Sequence, residues 1–148
     1  MNRRVALLCL LAALAAMSIA DCIAAEDASG WQEDANQAWR YAQATQRPLV
    51  LYITMENCVY CRKMERESWS NRAVAEDIRR GFVAANVHAE TSADLVVKLK
   101  VRAYPTTVII SPANGVVDRI TGYLPPRELQ VRLAAAARRS SLPKSPPR

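Results

Sequence analysis

The chain has 148 residues, of which 51% are apolar and 23% charged, and a formal net charge of +6. That length suits one domain rather than two. The positive excess does not mark a nucleic-acid binder. Arg3, Arg4, Arg138, Arg139, Lys144 and Arg148 lie near the two ends, and setting these six aside leaves the charges balanced. No basic stripe with interleaved aromatics runs through the body of the chain.

Asn2-Arg3-Arg4 is short and basic, Val5 to Ala16 is almost wholly apolar, and small residues follow at Ser18 and Ala20. This is the layout of a secretory signal peptide over residues 1–20, with cleavage as late as residue 25 as the alternative. The run is short for a membrane-spanning helix of about 20 residues. Export would remove Cys9, and Cys22 too with the later cleavage. Only Cys58 and Cys61 would then remain, which leaves no disulfide framework and points to redox work.

After a linker, Trp31, Ala35, Ala38, Trp39 and Ala42 recur at helical spacing, with Ser29 as N-cap and a stop before Pro48. Leu49 to Thr54 reads as a strand covered on both faces. Met55-Glu56-Asn57 turns into a helix that opens on Cys58-Val59-Tyr60-Cys61, with Met64 inward. Glu56 could shuttle a proton, though a carboxylate at a strand end is more often simply solvated. Ser70 is the expected cap of a further helix carrying Val74 and Ile78 and stopping at Gly81. Phe82 to Val87 reads as the next strand. His88, the single histidine, ends it and is left out of the site. Ser92 starts a short helix with Leu95, Val96 and Leu99 inward.

A β-branched run then follows Pro105, and Ser111 to Gly115 turns it into a hairpin that Gly122 breaks. Pro125-Pro126 opens a last helix with Leu129, Val131, Leu133 and the Ala134–Ala137 run. Residues 138–148 are expected to be a disordered, basic, Pro-rich tail. Strands separated by helices pair in parallel, and the hairpin adds an antiparallel strand. The expected fold class is α/β, a mixed sheet with flanking helices.

Two cysteines three apart at a helix start can close a disulfide, hold half of a metal site, or do neither. The chemistry favours the first. A thiolate at a helix N-terminus faces free N–H groups and the positive end of the dipole. The second thiol sits one turn inside, close enough to attack a mixed disulfide formed by the first.

The segment from Trp31 to Ala137 resembles the thioredoxin superfamily. The strand Pro48–Thr54, Cys58 to Cys61, Tyr104-Pro105-Thr106 and the Gly115 hairpin followed by Gly122 carry the resemblance. It is most similar to small exported thioredoxin-like proteins with a CxYCKxME pattern, here Cys58-Val59-Tyr60-Cys61-Arg62-Lys63-Met64-Glu65. The resemblance implies a thioredoxin-like domain over residues 31–137. It makes Cys58 the exposed nucleophile, Cys61 the buried resolving thiol and Pro105 a cis-proline facing the disulfide. Tyr104 would pair its backbone with an extended client segment.

The sequence departs from thioredoxins proper at three places. Asn57 stands where they carry Trp, Val59-Tyr60 where they carry Gly-Pro, and Tyr52 where they carry a buried Asp. No long insertion matches the helical domain of the strong periplasmic oxidants. The resemblance therefore implies an exported, periplasmic or secreted thiol–disulfide oxidoreductase that reduces client proteins. It would need no organic cofactor, draw electrons from a membrane thiol-transfer partner, bind no nucleic acid and act as a monomer. The alternatives are a Cu(I) or zinc module, for which structural zinc wants four ligands, and a non-enzymatic adaptor gripping partners by the Tyr104-Pro105 edge.

Overall fold

Leu49–Thr54 (β2) is an uninterrupted run of β-formers, and all six residues are buried, as a strand covered on both faces requires. In the computed structural model, which describes residues 30–142, it is the middle strand of five. The expected signal peptide and residues 143–148 of the expected tail lie outside the described residues. Val83–His88 (β3) pairs with β2 in parallel, and Thr106–Ser111 (β4) pairs with it antiparallel. Gly115–Thr121 (β5) closes the hairpin, with a register shift at Ile109/Ile110. Trp31–Gln32 (β1) adds a short edge strand beside β3, giving the order β1-β3-β2-β4-β5.

Helices cover both faces. Ala35–Thr45 (α1) and Ala93–Lys98 (α4) pack on one, where Ala38, Ala42, Leu51, Ile53, Val87 and Val108 are buried. Val59–Met64 (α2), Arg72–Gly81 (α3) and Pro126–Ser141 (α5) pack on the other, around Val50, Tyr52, Met64, Ile78, Ile109 and Leu133. The alternation of strand side chains produces the division, since Leu49, Leu51 and Ile53 point one way and Val50 and Tyr52 the other.

Three expectations are corrected, and one residue of the last helix turns out to face solvent. Trp31 is not on the first helix. The Asp34 carboxylate accepts from the N–H groups of Asn36 and Gln37 and caps α1, which starts at Ala35, four residues after Trp31. This frees Trp31 to pair with Ala84.

Ser70 does not cap α3. The CxxC helix continues as a π turn over Glu65–Trp69, and the Ser70 N–H and hydroxyl both donate to the Glu65 carbonyl. Asn71 takes the cap, accepting from Ala73 and Val74.

Val131 faces solvent at 63% exposure. It lies about 200° around the helix from Leu129, whereas Leu133 and Ala136 continue the buried stripe.

Residues 138–141 are helical rather than disordered. The Asn114 side-chain amide donates to the carbonyls of Arg139, Ser140 and Leu142, and the Arg139 guanidinium donates to Val117.

Candidate active site

β2 ends at Thr54, and Met55-Glu56-Asn57 turns the chain outward. Asn57 takes a left-handed conformation with φ 55°, which asparagine tolerates. Cys58 is the N-cap of α2, and its sulfur accepts from the Cys61 N–H at 3.1 Å. The two cysteines are joined, with an S–S distance of 2.06 Å. Their surroundings differ. Cys58 is half-buried, while Cys61 is only 2% exposed. Val59 and Tyr60 between them are exposed. An incoming thiolate therefore has a path to the Cys58 sulfur and little access to that of Cys61.

The antiparallel register sets Ile53 opposite Thr106, so the end of β2 and the start of β4 share one end of the sheet. The Tyr104-Pro105 turn is thus at the same end as the disulfide. The Tyr104–Pro105 peptide bond is cis, Pro105 is buried, and its carbonyl accepts from the Gly122 N–H at 2.7 Å. The Thr106 hydroxyl closes the turn onto the Ala103 carbonyl.

Tyr52 has a part in the site that its residue type alone did not announce. It is fully buried, and its hydroxyl donates to the Cys61 carbonyl at 3.0 Å. Burial, and next the negative charge of Glu65, push the phenol well above its ordinary range, so it remains a neutral donor. Trp69 meets its ring edge-on at 5.4 Å and Trp31 at 6.2 Å. The available signal was a polar-tipped side chain in a strand covered on both faces, which must find a partner.

A second group on α2 and the π turn was also missed. The Lys63 ammonium sits 4.4 Å over the Tyr123 ring, and the Tyr123 hydroxyl donates to Glu67 at 2.7 Å. The Ser68 hydroxyl donates to the Leu124 carbonyl. Together these tie the segment after β5 to the cysteine-bearing helix. Lys63 and Glu67 are four apart and share a helix face, which was the legible part.

His88 is exposed, and its Nδ1 lies 3.3 Å from the Thr54 hydroxyl. Glu56 is exposed and contributes its N–H to the Glu90 carboxylate. Among the described residues, no three His, Cys, Asp or Glu side chains gather as a metal-binding group.

The family described as thioredoxin-like domain matches residues 35–137. A thioredoxin from Thermus thermophilus superposes with a TM-score of 0.71 at 26% identity, covering 76% of this chain and 91% of that one. The DsbH oxidoreductase gives 0.63 at 15% identity, covering 73% of this chain and 83% of its own. Trxlp from Edwardsiella tarda EIB202 gives 0.59 at 22%, with 69% and 96% covered. The last two show likeness of fold alone. An uncharacterised protein of Caenorhabditis elegans is 28% identical over 85 residues, which make up 57% of this chain. The match spans 11% of that curated relative's length.

Proposed function

Because the chain belongs to the thioredoxin-like domain family, we propose that it is an exported thiol–disulfide oxidoreductase that reduces disulfides in client proteins. One observation carries the proposal: a disulfide at a helix tip with one sulfur approachable and the other covered. In the reduced protein, the Cys58 thiolate attacks a client disulfide, forms a Cys58–client bond and releases one client thiolate. The Cys61 thiolate then attacks Cys58, forms the intramolecular disulfide and releases the second client thiolate. Two electrons pass to the client. A membrane thiol-transfer partner returns them by the reverse exchange. Tyr104 and Pro105, at the same sheet end, present the surface on which an extended client segment lies.

Export rests on the basic, apolar and small-residue order of residues 1–25. It places the protein in the periplasm or outside the cell, where a CxxC needs a dedicated electron supply. Mass spectrometry of the exported protein should find Asp21 or Glu26 at its N-terminus, and an intact Met1 would refute export.

Trapping tests the chemistry. Cys61→Ser should accumulate client proteins as reducible adducts on non-reducing gels after acid quenching, because nothing nearby can release Cys58. Cys58→Ser should trap none. Pro105→Thr should prolong the adducts. If Cys61→Ser traps nothing and the wild type does not reduce insulin, the oxidoreductase reading is wrong. Partners held without a covalent link would favour an adaptor.

A further inference from the structure

A tyrosine in a doubly covered strand has to place its hydroxyl on an acceptor. Tyr52 places it on the carbonyl of Cys61, which already accepts from the Glu65 N–H within the helix. The second donor is not needed to satisfy that carbonyl. It ties the Cys61 backbone to the central strand. The phenol ring is in turn held by two indoles that meet each other edge-on at 4.9 Å. Trp69 is turned inward by the π turn, which adds a residue to the helical repeat just after the cysteines. Trp31 comes from the edge strand. Two separate elements thus converge on one ring whose hydroxyl touches the backbone of the covered cysteine.

We propose that Tyr52 is a positioning residue for Cys61. Its hydroxyl holds the Cys61 backbone in place while the Cys58–Cys61 bond is open, so the Cys61 sulfur stays poised to attack the mixed disulfide. The proposal rests on the oxidoreductase reading of the site. When Cys58 is joined to a client, the disulfide no longer ties the two residues together. Cys58 is then the cap of a six-residue helix whose first N–H groups have no intrahelical partners. The bond from Tyr52 ties the Cys61 backbone itself to the central strand and does not depend on the disulfide. Tyr52 acts through the backbone and is neutral, so it is not the base that deprotonates Cys61.

The two half-reactions can be read separately with 5,5′-dithiobis(2-nitrobenzoate) and fully reduced protein under stopped flow. Attack by Cys58 forms a Cys58–thionitrobenzoate disulfide and releases one thionitrobenzoate. Attack by Cys61 closes the intramolecular disulfide and releases a second. Tyr52→Phe keeps the ring and removes the hydroxyl. The first phase should be unchanged and the second slowed about threefold to tenfold, the size expected for one hydrogen bond. The slowing should be the same from about pH 6 to about pH 9, because the phenol stays protonated.

Trp69→Phe keeps the hydroxyl, loosens the ring and should slow the second phase by less. A lower unfolding midpoint with the second phase at the wild-type rate means a merely structural role and overturns the proposal. A slowing that changes through a step in that pH range makes Tyr52 a proton acceptor and also overturns it. If Tyr52→Phe does not fold, Trp69→Phe decides: an unchanged second phase overturns the proposal. Wild-type protein that releases only one equivalent overturns the oxidoreductase reading itself, and the proposal with it.

Discussion

At Cys58 the chain leaves extended geometry, and the sulfur turns back over the first helical turn toward the Cys61 N–H. That N–H points at the Cys58 sulfur, while Cys61 is buried in the body of the molecule. In reduced protein, iodoacetamide should therefore modify Cys58 first, faster by about tenfold or more at neutral pH. Peptide mass spectrometry at short times reads the ratio, and faster modification of Cys61 would reverse the two roles. The pairing itself was legible because a spacing of three on a helix brings the second thiol one turn inside the first. The hydroxyl of Tyr52 was not. Its acceptor is a backbone carbonyl nine residues away, and carbonyls leave no mark in a sequence. Trp31, part of the same cluster, was hidden by helical spacing that continued past the true cap at Asp34.

Among the elements, α5 is held to the β4–β5 hairpin by side chains rather than by apolar contact alone. Arg132 donates twice to the Asp118 carboxylate, and Arg139 adds an ion pair at 3.3 Å. Burial pushes the Asp118 carboxyl up. Arg132, the Arg119 N–H and Arg139 together outweigh it and hold the group below its usual range. Asp118 thus stabilises the fold fully above the unfolded aspartate value of about 3.9, and this contribution is lost as pH falls through its lower folded value. Asp118→Asn should cost about 1 kcal/mol at neutral pH, since both arginines are part-exposed. The gap to wild type in thermal melts should close as pH falls through that lower folded value. A gap that persists there would assign the loss to packing.

Asn114→Ala should cost about 1 kcal/mol as well. It should also speed amide exchange over residues 138–142, where the Asn114 amide holds the Arg139, Ser140 and Leu142 carbonyls. Protection unchanged in that stretch would show that the helix end holds itself. None of these ties was legible. They join residues from fourteen to twenty-eight positions apart, and composition made the same stretch read as a tail.

At the scale of the whole molecule, one sheet serves two apolar layers, and adjacent residues of β2 feed opposite ones. This was the most legible level, because a six-residue strand with no polar alternation can only sit between two covers. The same sharing predicts how the protein unfolds. Trp31 and Trp69 report on the layer with α2, α3 and α5, whereas Trp39 packs in the layer with α1 and α4. With Trp31 and Trp69 both changed to Phe, Trp39 is the remaining tryptophan of the three in the chain. Leu133→Ala, on the far side of the sheet from Trp39, should then cost about 2–5 kcal/mol. Because Val50 and Leu51 are neighbours on one strand, losing the first layer strips the cover from the strand that supports the second. In urea, Trp39 fluorescence and far-UV circular dichroism should move to the same lower midpoint with an unchanged slope. A Trp39 transition left at its original midpoint while the helical signal shifts would show that the two layers fold independently.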